Sequence, residues 1–394
     1  MIRRDFLKQT GLASTALLMP QLLRGFNTSS FDPYGKTLIV VQLGGGNDGL
    51  NTIVPHGNDI YYQNRPTIAI PKKQVIQLDD MLGLNPALSP LRDLYDAGEM
   101  AILNSVGYPE PDRSHFRSMD IWQSGSGSKA YWSSGWLGRY LDQNPTNDPF
   151  SHLEVNDQLS LAMKGKTEMG FAMQNAQKLG KSAQNRLLKT INDQHQEEHD
   201  HHAVSYLYQV LANTQESADY LLNQSQSATN KVSYPKTKLG GRLQQVAKLM
   251  LSHSRIRVFY VAHNGFDTHA NQKNTQTRLL NQYAEAMAAL RTELKKAGIW
   301  KDTLILTFSE FGRRVAQNGS RGTDHGAANN VFVMGGDLAN PGIQNAAADL
   351  QNLDRGDLKH EIDFRQVYAT ILDKWMQTDS QAILGQSFDH LRFV

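Results

Sequence analysis

Hydrophobic and polar positions along this chain fall into two kinds of block. Short, β-branched apolar runs occur at Thr37–Leu43 (TLIVVQL), Met100–Val106 (MAILNSV), Arg257–Ala262 (RVFYVA), Thr303–Phe308 (TLILTF) and Asn330–Met334 (NVFVM). Runs of this length without alternation predict strands buried on both faces. Amphipathic stretches lie between them. Ser89-Pro90 begins a predicted helix that Gly98 ends, and another covers Gly241–Leu251. Leu280, Tyr283, Met287, Leu290 and Leu294 recur at three-to-four spacing before a terminating Gly298. A last helix is predicted over Phe364–Trp375. Strands alternating with helices predict an α/β fold with a doubly wound, mainly parallel sheet. Residues 160–235 break the rhythm: they are polar, rich in Gln, Asn, Ser and Ala, and predict an inserted helical segment. No internal repeat is present.

Composition narrows the function classes. The 394 residues suffice for one large or two ordinary domains. Apolar residues at 40% and charged residues at 20% exclude a disordered, collagenous or polytopic membrane chain. The absence of cysteine excludes disulfides, thiolate metal sites, a catalytic thiol and a lipoprotein anchor. The first residues read as a targeting peptide rather than as fold. Arg3-Arg4-Asp5-Phe6-Leu7-Lys8 precedes a short, mildly apolar run from Gly11 to Met19, as in a twin-arginine export signal. The expected organisation is a signal at 1–30 and one α/β domain at 31–394, with a periplasmic or secreted destination. Residues 1–30 hold four basic side chains against Asp5, so the net +2 of the chain becomes −1 for the remainder. No basic field therefore points to nucleic acid.

Candidate chemistry sits where the predicted strands end. Gly44-Gly45-Gly46-Asn47-Asp48-Gly49 satisfies a dinucleotide-binding glycine pattern literally. The next residues, Leu50 to Gly57, have no helical period and contain Pro55, so the pattern lacks the helix it needs. Those glycines instead let the backbone turn sharply and aim Asp48 at the sheet edge. Ser114-His115 follows the second strand, Asp267-Thr268-His269 the third and Glu310 the fourth, while Asp324-His325-Gly326 leads into the fifth. Ligands in open parallel sheets bind beyond the carboxyl ends of strands. Carboxylates mixed with imidazoles suit Zn²⁺ or Mn²⁺, with one or two ions accommodated. Ser114 would begin a helix and serve as a metal-activated nucleophile. Arg113, Arg117, Arg313 and Arg314 are placed to hold a phosphate or sulfate, or are surface charges. The run His195-Gln196-Glu197-Glu198-His199 offers two imidazoles on one helical face, although a solvated charged segment is the preferred reading.

The arrangement resembles the alkaline phosphatase superfamily, which includes phosphatases and sulfatases. More closely, the chain resembles a twin-arginine-exported bacterial family labelled domain of unknown function 1501. The residues carrying the resemblance are RRDFLK, LGGGNDGLNTIVP at 43–55, SHFRSMDIWQSG at 114–125, GWLGRYLD at 135–142, FDTH at 266–269, TFSEFGR at 307–313 and GTDHG at 322–326. The resemblance implies an alkaline phosphatase-like fold with Asp48, Asp267, His269, Glu310, Asp324 and His325 as metal ligands. It implies Ser114 as nucleophile, with His115 and Arg313 completing the catalytic set. Glu310 and Asp324 compete for one ligand position, and strand order favours Glu310. The spacing Asp-x-His replaces the superfamily's Asp-x-x-x-His, and the Cys/Ser-x-Pro-x-Arg sulfatase motif is absent, which disfavours formylglycine chemistry. The expected activity is metal-dependent hydrolysis of phosphate, less readily sulfate, esters of a small molecule or glycan. The expected partner is the export machinery, with no stable transmembrane helix in the mature chain. The alternatives are a non-catalytic exported binding or surface-assembly protein, or, on the glycine pattern alone, a nicotinamide-dependent oxidoreductase.

Overall fold

The predicted strands form, within one or two residues of their expected ends, in a computed structural model that describes residues 35–144, 151–176 and 219–394. The arginine-pair segment and the His195–His202 run lie outside the described residues. Among the described residues nine strands make the main sheet: β1 (Thr37–Gly44), β2 (Met100–Gly107), β3 (His152–Glu154), β4 (Phe171–Ala172), β5 (Val258–Asn264), β6 (Thr303–Phe308), β7 (Asn329–Gly335), β8 (Gly342–Ile343) and β9 (Ile362–Asp363). Their order is β8-β2-β7-β6-β1-β5-β3-β4, with β9 also on β2. β1 runs parallel to β5 and β6, pairing Val41 with Val261 and Thr307. β7 alone is antiparallel to its neighbours β2 and β6. A small second sheet joins Ile53–Val54, Gly83–Leu84 and Ile76–Gln77.

Five helices are used below: α1 (His115–Ser124), α2 (Trp136–Gln143), α3 (Lys238–Leu251), α4 (Gln272–Lys296) and α5 (Phe364–Thr370). Successive side chains of a strand point to opposite faces, and β1 shows the result. Ile39, Val41 and Leu43 pack in one core with Leu243, Val246, Leu280, Met287 and Leu290 of α3 and α4. Leu38 and Val40 pack in the other with Trp122, Trp136, Phe364 and Tyr368. The sheet is therefore covered on both faces, which is why its strands read as unbroken apolar runs. This is the predicted doubly wound α/β architecture.

Two predicted helices change character along their length. The stretch before Gly98 is 3₁₀ at Pro86–Leu91 and α-helical only at Arg92–Asp96. Pro90 cannot donate the i→i−4 bond an α-helix needs there. The last helix is α over Phe364–Thr370 and widens to π at Ile371–Trp375. The described parts of the predicted insert are mixed: a 3₁₀ turn at Leu161–Met163, strand β4, and helix at 219–227. Among the described residues no helix is long and apolar enough to cross a membrane.

Candidate metal centre

The parallel strands β1, β5 and β6 end at one edge, and the loops after them are drawn together there by close backbone contact. Gly45 and Gly46 of the first loop have φ of 116° and 68°. A Cβ on Gly45 would lie 2.5 Å from the Asp267 nitrogen, and one on Gly46 2.2 Å from the Phe311 ring. Only glycine permits that approach. The glycine run thus brings three loops into contact, and no dinucleotide-type helix succeeds it, only a 3₁₀ turn at Gly49–Asn51.

Arg313 ties the same loops. Its side chain is fully buried. Nε donates to the Gly46 carbonyl at 2.6 Å and Nη1 to that of Thr323 at 2.9 Å. Nη2 reaches the carbonyls of Gly45 and Phe266 and Asp267 Oδ1, the last at 2.7 Å. These bonds occupy the guanidinium's fork. Arg313, expected to act on substrate, spends its guanidinium on these loop carbonyls and on Asp267. Burial pushes the Asp267 carboxyl up, but the bond to Arg313 and its charge outweigh this and hold the pKa at about 2.

Three imidazoles face Asp267. His269 Nε2 lies 3.0 Å and His325 Nε2 3.3 Å from Oδ1, and the two Nε2 atoms are 2.9 Å apart. His115 Nε2 stands 3.5 Å from Oδ2 and has no hydrogen-bond partner. Each opposite ring nitrogen is occupied. His115 Nδ1 bonds Glu310 Oε1 at 2.9 Å, His269 Nδ1 bonds Asp324 Oδ1 at 3.2 Å, and His325 Nδ1 bonds the Arg113 carbonyl at 2.7 Å. An acceptor on every Nδ1 places the proton there and leaves the Nε2 lone pairs converging beside a carboxylate. Tetrahedral donors at 2.0–2.2 Å from an ion are separated by about 3.3 Å. His115, Asp267 and His325 each place a ligand atom within 4.8 Å of the other two, a grouping that could hold one ion, and His269 stands beside it against Asp267 and His325. Burial holds His325 below the usual histidine range, which favours the neutral ligand form. The Glu310 hydrogen bond raises His115, so a cation entering the site competes with a proton there.

Three expected ligands occupy other positions. Glu310 is buried, accepts from Gly45 N–H at 2.8 Å and from Ser309 Oγ at 3.2 Å, and orients His115 from behind. Asp324 stands behind His269, and its carboxyl is held low by Asn318 Nδ2 and then by His269. Asp48 faces inward: Oδ2 meets Arg65 Nη1 and Gln272 Nε2, both at 2.5 Å, with exposure of 1%. Asp48, expected as a metal ligand, is thus paired with a buried guanidinium. His115, expected in the catalytic set, stands within the cluster, its Nε2 3.5 Å from Asp267 Oδ2. Arg65 and Gln272 were missed, because nothing in their local pattern marks an inward-facing polar pair.

Ser114 is exposed at the N-cap of α1, which begins beside the cluster at His115, and its side chain makes no capping bond. Its N–H is taken by Asp112 Oδ1 at 2.7 Å. The other arginines expected to grip an anion have protein partners. Arg113 and Arg314 face Asp357, and Arg117 donates to the carbonyls of Ser128 and Ala130 beneath the Tyr131 ring.

No curated protein matches the chain by sequence. Among solved structures it is similar to the lipoteichoic acid synthase LtaP from Listeria monocytogenes, at 10% identity over 92% of this chain and 76% of that one, with a TM-score of 0.37. It is also similar to the phosphonate monoester hydrolase SpPMH from Silicibacter pomeroyi, at 8% over 90% and 77% with a TM-score of 0.43. For the PsFucS1 sulfatase from Pseudoalteromonas sp. the values are 11%, 89% and 68%, with a TM-score of 0.37. Likenesses this distant leave the chemistry to be argued from the chain's own residues. The sequence match is of another order: the model of the family described as "Protein of unknown function (DUF1501)" covers residues 95–389, and the chain belongs to that family.

Proposed function

We propose that the protein is an exported, metal-dependent hydrolase of phosphate or sulfate esters, using one divalent ion, Zn²⁺ or Mn²⁺. The observation that carries the reading is the convergence of three Nε2 atoms on Asp267 with every Nδ1 already bonded. The donor set fits such an ion, and His115 Nε2 is otherwise an orphaned buried nitrogen. When bound, the ion would polarise the ester and favour ionisation of a nearby hydroxyl. Ser114 presents that hydroxyl at the start of α1, where first-turn N–H groups and the helix dipole receive the ester's non-bridging oxygens. Arg313 keeps Asp267 ionised, and Glu310 keeps the His115 ring in its tautomer. Export rests on the arginine-pair segment of the sequence.

Protein purified without chelator is expected to contain about one equivalent of transition metal by mass spectrometry, lost in His269→Ala and His325→Ala. A panel of phosphate and sulfate esters should be turned over by the parent chain and not by Ser114→Ala. Absence of metal sinks the reading. One observation favours a second reading, a binding protein without turnover: the anion-gripping arginines are all spent on protein partners. Stoichiometric metal with no hydrolysis anywhere in the panel would select it.

A further inference from the structure

A cavity of about 250 Å³ lies between the loop that leads to Ser114 and the loop that follows His325. Tyr108 and Pro111 line it from the first loop, Ala327 and Ala328 from the second, and Leu358 from the segment that runs into β9. Close approaches build it. The Ala328 N–H donates to the Leu358 carbonyl at 3.5 Å, and the Tyr108 ring packs edge-on against Phe364 with centroids 5.9 Å apart. A Cβ on Gly107 would lie 3.0 Å from that of His360, so glycine at the end of β2 admits His360 to the wall. Most charged side chains of the lining are engaged: Asp357 with Arg113, Glu110 with Lys129 and Lys359 with Asn352. With Asp354 they amount to three carboxylates against one ammonium. His360 differs from them. Its half-buried ring makes no hydrogen bond among the described residues, and its nitrogens still reach solvent. Burial lowers its pKa, so the neutral ring offers one donor and one acceptor.

We propose that this cavity receives the organic part of the ester, one uncharged aromatic ring whose polar substituent meets His360. A cavity of about 150 Å³ holds a benzene, so this one suits a single ring with a substituent and is too small for a chain of sugars. The apolar wall favours the faces of an aromatic ring, and the excess of carboxylates repels a second acidic group. Arg113 connects the cavity to the metal centre. Its side chain pairs with Asp357 of the wall, its carbonyl accepts from His325 Nδ1, and Ser114 is the next residue. Three residues of chain span at most about 11 Å and two about 7 Å. Pro111 is therefore within that reach of Ser114, and Ala327 within that reach of His325, distances a single aryl ester bridges. The ring's role as leaving group rests on the hydrolase reading, whereas its binding in the cavity does not.

Ligand-observed NMR titration of the full chain, stripped of metal, tests the binding with 4-hydroxybenzyl alcohol, 4-hydroxybenzoate and glucose. The neutral phenol should bind, and the carboxylate and the sugar should bind at least tenfold more weakly. Ala327→Phe fills the cavity from a partly exposed position and should cost tenfold or more in affinity. His360→Leu should also weaken binding, with part recovered in His360→Gln, and covers the case in which Ala327→Phe fails to fold. In the metal-loaded chain, Ala327→Phe should raise KM for 4-(hydroxymethyl)phenyl phosphate or sulfate tenfold or more. The same variant should leave kcat/KM for the corresponding methyl ester unchanged. Failure of the phenol to bind, equal binding of the carboxylate or of glucose, or unchanged affinity in the variants overturns the proposal. Binding of the phenol by a chain that hydrolyses none of these esters would instead sink the hydrolase reading and leave the cavity as a ring-binding site.

Discussion

Replacing Arg65 by methionine tests whether Asp48 belongs to the fold or to the metal. In the structure the guanidinium is wholly buried and donates to the carbonyls of Val315 and Arg314, to Asn51 Oδ1 and to Asp48 Oδ2. Methionine fills much of the volume but leaves three acceptors without this donor and the Asp48 charge with Gln272 alone. Removing one partner of a buried ion pair costs about 3–5 kcal/mol. The unfolding entropy is about 2.1 cal/mol/K per residue, or about 0.75 kcal/mol/K for a folded unit of about 360 residues. The expected fall in Tm is therefore about 4–7 °C by differential scanning calorimetry. Metal content should be unchanged, because no residue of the His–Asp cluster touches Arg65. Adding Asp48→Asn should recover part of the loss, since it removes the stranded charge. A fall of less than 1 °C, or loss of metal in Asp48→Asn with Tm preserved, would refute the reasoning and return Asp48 to the ligands.

Three further outcomes are expected from the same geometry. Glu310→Gln should leave the fold intact and lower metal affinity about 10- to 100-fold, read by competition with a chelating dye, because it weakens the hold on His115. In metal-free protein Asp267, with its pKa depressed to about 2, contributes stability present above the unfolded value near 3.8 and lost as pH falls through about 2. Urea titrations between pH 5 and 2 should therefore show a shallower acid loss in Asp267→Asn, and an unchanged slope would contradict the Arg313 pairing. Leu290→Ala, at a fully buried position of α4, should cost about 2–5 kcal/mol in the same assay while metal content stays constant.

Both the strands and part of the centre were legible in the sequence for the same reason. Strands buried on both faces must be apolar throughout, so TLIVVQL and TLILTF announce themselves, and a parallel sheet gathers the residues just beyond them at one edge. Asp267, His269 and His325 were singled out in this way, and the fold brings them within hydrogen-bonding distance of one another. The shorter strands β3, β4, β8 and β9 carry two or three residues each and give no periodic signal. Glu310 and Asp324, expected as ligands, hydrogen-bond His115 and His269, and a carboxylate at a strand end looks the same in sequence whether it meets an ion or an imidazole.

What the sequence determined by itself is the layered α/β fold and the edge at which chemistry is possible, since hydrophobic pattern records which sides of an element are buried. Which partner a buried polar group meets was decided only by tertiary structure. Asp48 finds Arg65 seventeen residues away, Arg65 is tied to Val315 across 250, and His115 meets Glu310 across 195. Such contacts arise when distant loops are brought together, and no local periodicity encodes them. Chain packing therefore settled that Asp48 is paired with a guanidinium, that Glu310 stands behind His115, and that three imidazoles turn their Nε2 atoms toward Asp267.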